Sequence, residues 1–458
     1  MLITNGIIVN AGGTQKADLR IDDELIVEID TALAVQNPSE QVIDAQGMLV
    51  LPGGVDPHTH MDLQMGAHRA TDDFFTGTVA AACGGTTTII DHIGFGPAGC
   101  SLQHQIDAYH GLAGGKAVID YGFHCAIARV DDAILKEMSQ LPDLGVTSLK
   151  FYMTYANRLS DEETVNLLAR SRELGILCCV HCEDHAMLTE LRKRFVAEGK
   201  TEPLYHALSR PAECEAQAVS TVLNQARAAG DAPVYIVHLS SAAGLAATQD
   251  LPFIPNVILE TCPQYLLLDD SLYAQANNEG LKYIMSPPLR KRADAVALWQ
   301  GLADGRIDTI GTDHCPFYFA TDKQAGKDDF TQCPNGMPGV ELRLSLIHSE
   351  GVVKRGLGLE RFVELCCAAP AQRFGLYPKK GVLAVGSDAD VVIFDPDKEV
   401  TITHDLLHER VDYTPYEGMR ITGYPRTTIS RGEIIVQDGR FNATKGRGRF
   451  LKRGFSRR

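Results

Sequence analysis

The stretch Ile176-Leu177-Cys178-Cys179-Val180-His181 is a short apolar run closed by an imidazole, and Val234-Tyr235-Ile236-Val237-His238 repeats that design. Runs of this length bounded by loops read as buried strands. Others recur between about Leu51 and Gly375: Thr86 to Asp91, Ser148 to Tyr152 and Thr309 to Thr312. Several are followed by a helical pattern, such as Ser160 to Leu174 or Glu213 to Ala229. Strands alternating with helices indicate parallel βαβ units, and a TIM-like (β/α)8 barrel over residues 52–375 is the economical α/β reading. In such a barrel the strand C-termini converge on one face, where active sites lie.

Outside this region the texture changes. Leu2 to Val9 and Glu24 to Ile29 alternate apolar and polar residues around turn signals, and Ala389 to Asp395 and Gly432 to Val436 do the same near the other end. That is the period of half-buried strands. Residues 1–51 and 376–458 are therefore expected to build one small β-sandwich domain from both termini, ending in a basic tail.

Composition narrows the function classes. A net charge of −15 over 458 residues argues against nucleic acid as a partner, because such binders carry a basic face. The basic run from Lys445 to Arg458 is the local exception, and it reads as a solvated or subunit-docking arm. No apolar run reaches the roughly 18 residues of a membrane span, and the first thirty residues lack a secretory pattern, so a cytoplasmic protein is expected. Twelve cysteines without a CxxC framework read as reduced thiols.

The strongest chemical signal is Val55-Asp56-Pro57-His58-Thr59-His60. Histidines at i and i+2 on an extended segment point the same way and can share a metal; the bland alternative is a hydrogen-bonded pair at the barrel mouth. His181 and His238 each close a strand, so all four imidazoles can meet at one face. Asp313, after Thr309 to Thr312, sits where a late strand ends and can bind metal and move protons, or simply cap a turn. Lys150, flanked by Leu149 and Phe151, has three readings: snorkelling to solvent, a Schiff-base nucleophile, or a carbamate that bridges two divalent cations. If two cations are present, the carbamate is favoured, since neutral imidazoles offset none of their charge and an ammonium would repel both.

These residues lie within longer motifs: PGGVDPHTH at 52–60, TDDFFTGTVAAACGGTTTIIDH at 71–92, SLKFYMTY at 148–155, VHCEDH at 180–185, ETCPQYL at 260–266, TDHCPF at 312–317 and PNGMPGVE at 334–341. Together they resemble the amidohydrolase superfamily and, within it, the hydantoinase/dihydropyrimidinase family, especially its bacterial D-phenylhydantoinase branch. The likeness runs over essentially the whole chain. It implies a homotetrameric hydrolase that opens cyclic amides, 5-monosubstituted hydantoins or dihydropyrimidines, to N-carbamoyl amino acids. It implies two divalent metal ions per subunit, zinc being expected and manganese or another ion being alternatives. His58 and His60 would hold the more buried ion, His181 and His238 the other, carboxylated Lys150 would bridge, and Asp313 would be ligand and proton shuttle. Tyr155 would bind the developing oxyanion, while Ser286 and Asn335 would hold the ring amide. Asp184 departs from the asparagine usual after the His-x-Glu of this motif.

Loop position suggests that Leu63, Met65, Phe151 and Tyr155 receive the substituent on ring carbon five. Dihydroorotases of this kind carry an arginine two residues after the second histidine, where this chain has Asp62, and an anion there would repel an anionic ring. Three other readings stand beside this one: an allantoinase-type ureide hydrolase, a non-catalytic assembly protein on the same fold, and a Schiff-base lyase using Lys150.

Overall fold

Eight parallel strands form the central sheet of the computed structural model, which describes residues 1–249 and 256–456. In chain order they are β1 (Gly54–Thr59), β2 (Thr86–His92), β3 (Asp120–Ala126), β4 (Ser148–Tyr152), β5 (Leu177–His181), β6 (Val234–Ile236), β7 (Val257–Thr261) and β8 (Thr309–Ile310), each hydrogen-bonded to the next. The chain after β8 returns to β1: Thr59 bridges His314, and Asp313 N donates to His58 O at 2.9 Å. A TIM-like barrel results.

Alternation along the strands sorts the side chains. Ile90, Leu177, Cys179, Tyr235 and Ile258 form one cluster inside the barrel, floored by Phe374 and Leu451. Ile89, Leu149, Phe151, Cys178, Val180 and Ile236 belong to the layer between strands and helices. The helix Asp161–Leu174 begins with a Ser160/Glu163 capping box and stops at Gly175, whose φ of 70° suits a residue without Cβ. Ala212–Ala228 buries Ala218, Val219, Val222 and Ala226, an i, i+4 stripe facing the strands.

Both chain ends meet in a mixed sheet. Leu49–Pro52 pairs in parallel with Ile7–Asn10 and antiparallel with Val391–Thr401. A second, four-stranded sheet from the N-terminal segment packs on it, joining Ile3, Leu19 and Ile26 to Val50, Val391 and Ile429 in one core.

Up to residue 456 the basic tail lies along the barrel rather than extending as a free arm, with Lys445, Arg449 and Lys452 still exposed. Residues 446–454 run under the barrel, where Gly448 N donates to Ala117 O at 2.9 Å, Leu451 N to Tyr121 O at 2.7 Å and Gly454 N to Gly375 O at 3.0 Å. Three of its arginines find partners within the chain: Arg447 pairs with Glu433 and Arg449 with Glu24, and buried Arg453 donates to Ser148 Oγ at 2.8 Å. The cysteines are unpaired thiols, and no helix among the described residues is long and apolar enough to cross a membrane.

Candidate metal centre and substrate cavity

The C-terminal ends of the barrel strands open into a cavity of about 720 Å³. At its floor His58 Nε2 and His60 Nε2 lie 3.0 and 3.1 Å from the same oxygen of Asp313. Beside them His181 Nδ1 faces His238 Nε2 at 3.0 Å. Two ring nitrogens at that separation match the donor spacing around one tetrahedral ion with metal–nitrogen distances of about 2.0–2.1 Å. His58, His60 and Asp313 together form a group that fits a divalent cation.

Two of the four imidazoles, those of His58 and His181, are aimed by a carboxylate on the far side of the ring. His58 Nδ1 is 2.6 Å from Glu260 Oε1, which also accepts the His238 backbone N–H at 2.9 Å, while Tyr235 Oη donates to Glu260 Oε2 at 2.8 Å. His181 Nε2 lies 2.8 Å from Glu183 Oε2, and Glu183 is held in turn by Arg210. Such carboxylate partners fix the tautomer, leaving Nε2 of His58 and Nδ1 of His181 for metal. Burial works against charge on Glu183, yet Arg210 and His181 keep its carboxyl well below the usual range. For His58, burial is outweighed by Glu260 and Asp313, which lift the imidazole to about 9.

Asp56 explains why the two ends of the barrel agree in register. Its carboxylate accepts from the Thr312 hydroxyl at 2.7 Å and from His58 N at 3.1 Å, tying the first histidine to the loop that carries Asp313. Asp91 does the same for the turn after His60, accepting from Thr59 Oγ1 at 2.8 Å and Met61 N at 2.7 Å, and burial raises its carboxyl to about 8.

His238 and Asp313 do not end their strands, as the sequence pattern suggests; they follow them, at φ 41° and 55°. Tyr155 has φ 73°. Left-handed backbone at non-glycine residues costs of order 1–3 kcal/mol each and is held only where the surroundings demand it. These three side chains share one small volume at the mouth, which is the demand. Lys150, on β4, is fully buried with its ammonium 5.2 Å from the centre of the Tyr152 ring, and burial pulls its pKa below the ordinary lysine range.

The cavity wall includes Lys150, His60, His181, His238 and Asp313 together with Tyr155, Ser286 and Asn335. Asn335 Nδ2 donates to Ser286 Oγ at 3.0 Å. Leu63 and Met65 belong to the wall through the hairpin Gln64–Met65 and His68–Arg69. Phe151 does not. It is entirely buried behind β4, because side chains alternate and the inward positions of that strand are Lys150 and Tyr152. Asp62 is also corrected: it is buried outside the cavity and paired with Arg69 at 2.6 Å, so its field is offset and it cannot repel an anionic ring. Asp184 caps the following helix by accepting from Met187 N at 2.7 Å, a task that asparagine performs equally well.

Sequence reading does not assign roles to Glu260, Glu183, Arg210 or Tyr152. A carboxylate inside the apolar run Val257–Thr261 is the same kind of signal that singles out Lys150, and applied evenly it would have drawn attention to Glu260.

Four imidazoles and a carboxylate converging at the mouth of an α/β barrel define a metal-dependent hydrolase. The chain belongs to the Amidohydrolase family, whose profile matches residues 49–435. It is 51% identical to a D-phenylhydantoinase of Escherichia coli O1:K1 / APEC, over 99% of this chain and 98% of that one. Its structure is similar to that of a dihydropyrimidinase from Brevibacillus agri NCHU1002, with a TM-score of 0.97 and 43% identity over 100% of this chain and 99% of that one. A D-hydantoinase from a Bacillus sp. AR9 superposes with a TM-score of 0.96 and 42% identity, covering both chains completely.

Proposed function

We propose that this enzyme hydrolyses the cyclic amide bond of 5-monosubstituted hydantoins, D-5-aryl compounds above all, and more slowly that of dihydropyrimidines, releasing N-carbamoyl amino acids as a cytoplasmic homotetramer. The observation that carries this reading is the convergence of His58, His60, His181, His238 and Asp313 beneath a cavity whose wall holds Tyr155, Ser286 and Asn335. His58, His60 and Asp313 would hold one zinc ion and His181 and His238 a second, with carboxylated Lys150 bridging. When bound, two such ions lower the pKa of water from about 15.7 towards 7 and supply a nucleophile at neutral pH.

The chain's own groups do the rest. Ser286 and Asn335 hold the ring amide, and Tyr155 donates a hydrogen bond to the carbonyl oxygen as it gains negative charge. Asp313 takes a proton from the attacking water and gives it to the ring nitrogen as the carbon–nitrogen bond breaks. Leu63 and Met65 pack against the substituent on carbon five.

A panel of metal-replete assays with phenylhydantoin, alkyl hydantoins, dihydrouracil, allantoin and dihydroorotate, with chiral analysis of the products, tests the proposal. Phenylhydantoin should lead; dihydroorotate should be poor, because Leu63 and Met65 offer an apolar wall where its carboxylate would lose water without gaining a partner. Comparable kcat/KM for phenylhydantoin and either allantoin or dihydroorotate would overturn the substrate assignment. Leu63→Ala or Met65→Ala, each of which removes three heavy atoms from the wall, should change the aryl-to-alkyl preference by about 10-fold or more. An unchanged preference in both would remove these side chains from substrate contact. Tyr155→Phe should lower kcat by roughly 10²- to 10³-fold with little change in KM, as expected for a donor aimed at transition-state charge.

A further inference from the structure

A single buried lysine joins the two segments that bind the ring. Lys323 opens the short turn Lys323–Gly326 and is fully buried. Its ammonium donates to Ile284 O at 2.7 Å and to Pro334 O at 2.9 Å. Ile284 stands two residues before Ser286, and Pro334 immediately before Asn335. The same Ile284 carbonyl accepts from Gly336 N at 3.0 Å, so one oxygen is gripped from both sides, and Asn335 Nδ2 then reaches Ser286 Oγ at 3.0 Å.

No carboxylate among the described residues pairs with this ammonium. Its neighbour Asp322 is turned elsewhere, taking His68 Nδ1 at 3.0 Å on one oxygen and the Tyr318 N–H at 3.1 Å on the other. A buried ammonium whose partners are neutral is expensive, and an apolar side chain would fill the same space at lower cost. What an apolar side chain lacks is a pair of diverging donors that set the spacing of two carbonyls. Through His68, Asp322 also ties the hairpin bearing Met65 to the same turn, so residues 322 and 323 connect the wall for the ring with the wall for its substituent.

We infer that Lys323 is a positioning residue that holds Ser286 and Asn335 in register for the ring amide, an inference that rests on the function proposed above. It touches neither substrate nor metal ligands. Its removal should therefore act on substrate binding and leave the metal centre intact.

The experiment compares Lys323→Met and Lys323→Gln with the wild type, all metal-replete, using phenylhydantoin. KM should rise roughly 10- to 100-fold in the methionine variant, with a smaller fall in kcat and wild-type metal content. Glutamine, which keeps donors, should give a smaller rise. Loss of folded protein alone would lower apparent kcat and leave KM unmoved, so the split separates positioning from bulk stability. A double-mutant cycle of Lys323→Gln with Asn335→Ala should be non-additive in KM, since both changes loosen one contact. Should the methionine variant fail to fold, the glutamine variant and this cycle decide. An unchanged KM in Lys323→Gln, or strictly multiplicative effects, would overturn the positioning role while wild-type turnover kept the functional reading intact. A wild type inert towards every cyclic amide would overturn that reading first.

Discussion

Lys150→Ala is expected to lose turnover by about 10³-fold or more, equivalent to some 4 kcal/mol of transition-state stabilisation, and to retain less tightly bound metal than the wild type. The reason is charge. Four imidazoles contribute none that offsets two divalent ions, and among the described residues Asp313 is the one carboxylate of the donors that converge on the cavity floor. The position of Lys150 on β4, inward-facing and completely buried, allows a carbamate to complete the set and leaves no room for snorkelling to solvent. Metal analysis, together with intact mass under mild conditions to detect one added carbon dioxide in the wild type, checks both halves. Two metals per subunit and normal turnover in the alanine variant would sink the bridging role.

The second large effect is on stability. Lys380 is buried between the barrel and the terminal sheets and reaches Asp120 of β3 at 2.6 Å, Asp390 at 2.8 Å and Asp388 at 2.9 Å. Removing the cation from such a group strands charge out of reach of water, so Lys380→Met should destabilise by about 3–5 kcal/mol, seen as a lower urea midpoint. Acid should narrow the difference. In the wild type the Asp120 carboxyl is held below its usual range by Lys380 and Arg431 despite its burial, so its contribution is present at neutral pH and lost as pH falls. In the variant an unpaired buried carboxylate has a raised pKa, and protonation relieves it. A gap that widened towards low pH would contradict the account.

Much of the barrel is legible along the chain because a buried parallel strand is a short apolar run, and runs at β2, β4, β5, β6 and β8 stand out between helical patterns. The two shortest, Val234–Ile236 and Thr309–Ile310, stop before His238 and Asp313, since the apolar run continues into loop backbone that local pattern cannot distinguish from strand. Phe151 went to the wrong side because its apolar character fits a pocket and a core equally well; the parity of β4, set by Lys150, is what decides. The course of the tail needed the structure for a different reason. Charge along a sequence says nothing of where its counter-ions lie, and Glu24 stands 425 residues from Arg449.

By itself the sequence determined the strand and helix periods, the donor types and their places after the strands, because these depend on neighbours a few residues away. Tertiary structure alone decided which side chains share a volume. It set Glu260 behind His58, Arg210 behind Glu183 and Lys323 beneath the ring-binding segments. Each of these is a charge interaction falling steeply with distance and local polarity, so its sign and strength exist only once the barrel has brought remote segments within a few ångströms.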